Sequence, residues 1–261
     1  MITQSTAQLD TRELEARVKQ MYEDVALEPQ REFHFETGRA LAERLGYSPE
    51  QLDRIPAAAI ESFAGVGYFS DLASISPGDR VLDLGSGSGM DSFLAALAAG
   101  GDGHLVGVDM TDAQLDKARR LATEAGFANV DFRNGYIEEP PVGDATIDCV
   151  ISNGVINLSP DKPAVFAAAA RALRPDGRLA LADIVTERPL PEGVTCDAAL
   201  WAACIGGAIP RDSYRAAIEA AGFEVVEWRE NPGYRFISER AERATRKFGV
   251  TSISLLAVKR G

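Results

Sequence analysis

The sequence predicts an α/β fold, a sheet with crossover helices preceded by a helical cap, and three observations support it. From Gly78 onward, short β-branched runs alternate with Ala/Leu-rich segments of helical period. The apolar run Val81-Leu82-Asp83-Leu84 enters a glycine-rich turn that is followed at once by the helix-forming Phe93-Leu94-Ala95-Ala96-Leu97. Before that change of character, Asp10 to about Leu27 reads as an amphipathic helix, with further helical pieces to about residue 63.

In the first helix Leu14, Val18, Met21 and Val25 share one face, and Asp10 with Glu13 resembles a capping box. The division is expected near residue 70, with 1–70 as an N-terminal cap or lid and 71–261 as the core. Strands are expected at 79–84, 104–109, 129–133, 146–152, 178–185, 223–229 and 251–258. Helices are expected near 89–99, 111–125, 161–173 and 211–221. Thr111 and Gln114 form a second capping-box pattern, and Gly126 and Gly222 are placed to end helices in left-handed turns. Pro175-Asp176-Gly177 reads as a turn into the fifth strand.

The 261 residues, 46% hydrophobic and 25% charged, suffice for a globular core. With 27 Lys plus Arg against 39 Asp plus Glu, the net charge of -12 argues against a nucleic-acid partner. Neither a secretory leader nor a membrane-length apolar run is apparent, so the expectation is a cytoplasmic protein with no membrane partner. Cys149, Cys196 and Cys204 make no CxxC pair, and His34 and His104 have no ligand-like spacing to them, so no metal site is expected. Oligomeric state is left open.

The loop Gly85-Ser86-Gly87-Ser88-Gly89 has glycines where backbone must approach a ligand, and the following helix offers free N–H groups. Asp109, 20 positions beyond Gly89, ends Leu105-Val106-Gly107-Val108-Asp109, where a carboxylate can accept bonds from ribose hydroxyls. A dinucleotide fingerprint requires G-x-G-x-x-G, whereas here Met90 stands at the third glycine position, which argues against an NAD-dependent dehydrogenase. Asp83 adds an acidic group suited to organising the loop or to the ammonium of a methionine moiety.

Val81 to Gly89 and Val108-Asp109-Met110 resemble the first and second motifs of class I methyltransferases. The resemblance implies a Rossmann-like seven-stranded sheet with an antiparallel last strand, supplied by Ile253 to Val258, and S-adenosyl-L-methionine as cofactor. It also implies roles. Asp83 and the backbone of Gly85, Ser86, Gly87 and Gly89 would serve the methionine end, Asp109 the ribose and Met110 the adenine. Tyr136 stands where the family often has an acidic adenine-binding residue, and Ile137 or Glu138 would take over that edge contact. Asn153, ending the fourth-strand motif, would line the site near the transferable methyl.

A closer resemblance is to arsenite methyltransferases, carried by Ile151 to Lys162, by Tyr136-Ile137-Glu138 and by Trp201 to Ala208. Cys204 matches one thiol of that subfamily. Gly154 replaces another, and Gly65-Val66-Gly67-Tyr68-Phe69 lacks a cysteine where many members carry one. Cys149, in an apolar strand, reads as a small hydrophobe before it reads as a substitute thiolate, and Cys196 would face Cys204 only if the intervening segment bends.

The expected activity is therefore methyl transfer to the O, N, S or C atom of a small molecule, with trivalent arsenic as the alternative acceptor. A catalytically silent cofactor-binding module is the alternative of another class. Trp201, Cys204 and Tyr22 are candidate substrate contacts, with Phe33, Phe35 and Phe63 as further apolar lining or as packing between cap and core. No general base is named.

Overall fold

Apolar strand runs and intervening amphipathic segments assemble, in the computed structural model, into one seven-stranded sheet flanked by helices; the structure describes residues 10–195, 201 and 205–260. The strands are β1 (Arg80–Leu84), β2 (His104–Asp109), β3 (Val130–Asn134), β4 (Ile147–Asn153), β5 (Leu173–Val185), β6 (Phe223–Glu230) and β7 (Thr251–Lys259). Their order is β3-β2-β1-β4-β5-β7-β6, and β7 runs antiparallel to both neighbours. The expected strands and the antiparallel last strand are thus present. The order reverses between β1 and β4, so their carboxyl ends open the crevice in which parallel sheets hold ligands.

Before the sheet come α1 (Thr11–Leu27), α2 (Arg39–Leu45), α3 (Pro49–Leu52), α4 (Ala57–Glu61) and α5 (Ser70–Ala73). Within the sheet region lie α6 (Met90–Ala99), α7 (Asp112–Ala125), α8 (Lys162–Ala172), α9 (Glu192–Thr195), α10 (Arg211–Ala220) and α11 (Glu239–Phe248). The sequence reading leaves α11 unassigned. Its buried stripe is built of Ala241 and Ala244, too small to stand out among ten mostly charged residues.

Both faces of the central strands are covered, which is why those strands read as continuous apolar runs. Leu82, Val150 and Leu181 pack with Phe166, Tyr214 and Phe223 on one face; Val81, Cys149 and Ala180 pack with Val66, Phe69 and Leu72 on the other. Leu41, Tyr47, Leu52, Ile60 and Phe63 of the N-terminal segment pack on Phe93 and Leu115 of α6 and α7. Cys149 is fully buried, and burial pushes its thiol up to about 12, so it packs as a hydrophobe.

Three local expectations need correction. Asp10 accepts from the N–H groups of Arg12 and Glu13, but Glu13 turns outward to Arg17, so only half of a capping box forms. Thr111 makes no side-chain cap bond, because Asp109 takes the Thr111 N–H and Gln114 points inward. Pro175-Asp176-Gly177 is a bulge inside β5: the register with β4 jumps between Ile147 and Cys149, and Asp176 takes φ 60°. Gly126 and Gly222 do adopt positive φ after their helices. Among the described residues, no helix is long and apolar enough to cross a membrane.

Candidate active site

At the carboxyl ends of β1, β2 and β4 lies a cavity of about 290 Å³. Its floor is the loop from Gly85 to Gly89 and the start of α6. One wall is formed by Asp109, Met110 and Gln114, another by Tyr136, Ile137 and Glu138. Asn153, Val155, Leu158 and Ser159 follow β4, and the inner face of α1 covers the opening with Leu14, Glu15, Val18 and Tyr22.

The loop's course depends on its glycines. Gly85 has φ 75°, and a Cβ there would lie 2.3 Å from Val155; the Gly85 and Ser86 N–H groups both donate to the Val108 carbonyl, fastening the turn to β2. Gly87 has φ 51°, and a Cβ there would meet nothing closer than Gln114 at 3.7 Å, so this backbone stands open toward the cavity. Ser86 is only 8% exposed and its Oγ has no hydrogen-bond partner. A buried hydroxyl left unsatisfied by the protein on such a loop marks a place for a polar ligand atom.

Asp109 holds the same loop. One carboxylate oxygen accepts from the Gly87 N–H at 3.0 Å and the other from the Thr111 N–H at 2.8 Å, while burial raises its pKa above the ordinary value. Asp83, 3% exposed, accepts from the Ser92 hydroxyl, and burial together with the neighbouring Asp91 pushes its carboxyl up to about 8.

Asn153 lines the cavity, but its amide is committed to the protein. Its Oδ1 accepts from Val66 N–H at 2.8 Å, and its Nδ2 donates to Asp91 at 3.0 Å and to the Tyr47 hydroxyl and Gly67 carbonyl at 3.1 Å. Tyr136 is 47% exposed on the rim, where its hydroxyl donates to Glu15 and accepts from Lys19 of α1. Glu138 accepts from the Ser159 hydroxyl. Tyr22 and Phe63 line the cavity, whereas Phe33 and Phe35 stack on each other with ring centres 5.6 Å apart.

Trp201 lies off the cavity wall: it packs on Leu14 and Val18, lies over Lys162 and donates its indole N–H to the Thr195 carbonyl. Cys196 and Cys204 lie outside the described residues. Gly154 abuts the 65–69 stretch: a Cβ on Gly154 would lie 3.1 Å from Val66. No group of three or more His, Cys, Asp or Glu side chains among the described residues is placed to hold a metal ion.

Sequence reasoning missed Asp91, Tyr47 and Gln114. Tyr47 carries no local signal, being brought from the N-terminal segment by packing. Asp91 follows the last loop glycine by two residues and was legible only as a first-turn acid. Gln114 was assigned to a cap that does not form.

A methyltransferase-domain family model matches residues 75–236. The chain belongs to this methyltransferase family. Among its relatives, an arsenite methyltransferase of Halobacterium salinarum is 43% identical over 74% of this chain and 49% of its own length. The human arsenite methyltransferase is 39% identical over 55% of this chain and 40% of its own. This methyltransferase-family chain therefore spans about half the length, or less, of the curated relatives it matches. Among solved structures, an arsenic(III) S-adenosylmethionine methyltransferase of Chlamydomonas reinhardtii superposes with a TM-score of 0.65 at 30% identity, covering 87% of this chain and 75% of that one. The geranyl diphosphate C-methyltransferase of Streptomyces coelicolor shares the fold, with a TM-score of 0.69 at 17% identity over 97% of this chain and 100% of that one.

Proposed function

We propose that the chain binds S-adenosyl-L-methionine in this cavity and transfers its methyl group to a small-molecule acceptor. The observation that carries the reading is the open Gly87 backbone clamped to Asp109 beside the unsatisfied Ser86 hydroxyl. When bound, the cofactor supplies a sulfonium-activated methyl carbon, so an acceptor lone pair forms the new bond as the C–S bond breaks and S-adenosylhomocysteine departs.

The residues then have limited work to do: align, and keep water out. Asp109 would accept the ribose hydroxyls, and Met110, Tyr136, Ile137 and Glu138 would border the adenine. Asn153 shapes the wall near β4 through its hold on residues 65–67, without spending its own amide on the ligand. Residues 1–70 would act as a lid through α1, whose Leu14, Val18 and Tyr22 offer an apolar inner face. The net charge of -12 favours a small-molecule partner over a nucleic acid, and a cytoplasmic setting accords with the absence of a membrane-length apolar run in the sequence.

Trivalent arsenic is a second reading, favoured by the names of the relatives. Against it stand Gly154 and the cysteine-free stretch from Gly65 to Phe69, where the resemblance implies thiols, and the buried Cys149; for it stands Cys204. Release of S-adenosylhomocysteine with mass spectrometry of products distinguishes the readings. Methylated arsenic from arsenite and a thiol reductant selects the second, turnover with organic acceptors alone selects the first, and cofactor binding without turnover on any acceptor points to a silent module.

A further inference from the structure

Asp91 stands in the first turn of α6, partly buried in the cavity wall. Its Oδ1 accepts the Tyr47 hydroxyl at 2.6 Å and its Oδ2 accepts Asn153 Nδ2 at 3.0 Å. Both donors are neutral: they fix the plane of the carboxylate without balancing its charge. Among the described residues, no lysine or arginine forms an ion pair with Asp91 or with Asp83. A sequestered carboxylate that lacks a protein counter-charge, yet is oriented by two donors, is arranged for a cation that arrives with the ligand. Each oxygen keeps a lone pair for it.

Asp83 is the poorer candidate for a cation. Its carboxyl is 3% exposed and engaged by Ser92, and burial with the neighbouring Asp91 charge pushes it up to about 8. Asp91 is raised less, to about 6, because Tyr47 and Asn153 favour its charged form. Of the two, Asp91 is the less enclosed, and each of its oxygens is held by a donor.

Resting on the S-adenosylmethionine reading above, we propose that Asp91, and not Asp83, binds the primary ammonium of the cofactor's amino-acid end, with Tyr47 and Asn153 as its positioning residues. The anchor is assembled from three separate parts of the chain: Tyr47 from the N-terminal segment, Asp91 from α6 and Asn153 from the end of β4. It is complete only when the N-terminal segment is docked on the sheet, which ties the seating of the amino-acid end to that docking.

Titration calorimetry at pH 7 with two stable nucleosides tests this. S-adenosylhomocysteine carries the ammonium, and 5′-methylthioadenosine lacks the amino-acid end altogether. Asp91→Asn is expected to weaken S-adenosylhomocysteine by roughly tenfold or more while moving 5′-methylthioadenosine by less than about twofold. Asp83→Asn is expected to weaken S-adenosylhomocysteine less than Asp91→Asn does. Equal losses for both nucleosides in Asp91→Asn would assign it a purely structural role and overturn the proposal, as would a larger selective loss in Asp83→Asn. Retained binding of 5′-methylthioadenosine reports that the variant is folded. Wild-type protein that binds neither nucleoside would overturn the cofactor reading itself, and the anchor with it.

Discussion

Gln114 Nε2 donates to the main-chain carbonyl of Tyr22 at 2.8 Å, while the Oε1 of the same amide accepts from the Ser88 hydroxyl on the glycine loop. One side chain, 1% exposed, thus joins the glycine loop to α1. Gln114→Ala is expected to lower stability by about 1–3 kcal/mol, since it removes a buried amide that donates to Tyr22 and accepts from Ser88. It should also speed amide exchange selectively across Thr11–Leu27. Uniform exchange across the chain would show that α1 is held by other means.

Asp109 holds the loop, and the proposed function gives it the ribose as well. Asp109→Ala should weaken S-adenosylmethionine by about 1.5–3 kcal/mol by removing charged acceptors for the ribose hydroxyls. It should also lower the unfolding temperature without ligand, because the Gly87 and Thr111 N–H groups lose their acceptor. Calorimetry for the first and scanning fluorimetry for the second separate the two effects; unchanged affinity would remove the ribose assignment.

Asn153→Ala leaves the Val66 N–H and the Asp91 carboxylate without their amide partner. A stability loss of about 1–3 kcal/mol in urea unfolding is expected. The variant should also show greater proteolytic sensitivity within residues 63–69 than elsewhere. Asn153→Asp should be no milder, because it places a second carboxylate against Asp91.

Asp83 gives the protein a pH dependence of defined sign. Its carboxyl rises from an ordinary 3.8 to about 8 on folding, so the folded state holds the proton more tightly. This contribution to stability is fully present below about pH 4 and is lost as pH climbs toward 8, by at most about 1.4 kcal/mol per pH unit. Asp83→Asn, which mimics the protonated acid, should therefore unfold at a higher temperature than wild type at pH 8–9, with the difference shrinking toward pH 5. A pH-independent difference would show that Asp83 is ionised in the folded protein.

The glycine spacing, Asp109 at the end of β2 and the alternation of apolar strands with helical segments were legible because they are local. Positive φ at Gly85, Gly87 and Gly89 and the pleat of β1 are properties of a few adjacent residues. Asn153 lines the cavity, and its hydrogen-bond partners were not legible. A side chain whose partners are Val66, Tyr47 and Asp91 cannot be assigned from its neighbours in sequence. Tyr136 was read as an adenine contact, yet on the rim it is also the clasp for Glu15 and Lys19.

By itself, then, the sequence determined the sheet, its antiparallel last strand and the glycine loop after β1, since these follow from periodicity and from backbone angles that glycine alone adopts easily. Only the tertiary structure decided which carboxyl is the more deeply buried, which amide joins α1 to the glycine loop, and that Cys149 packs as a hydrophobe. Those are matters of burial and of partners drawn from distant segments, and a side chain's chemistry is set by what surrounds it.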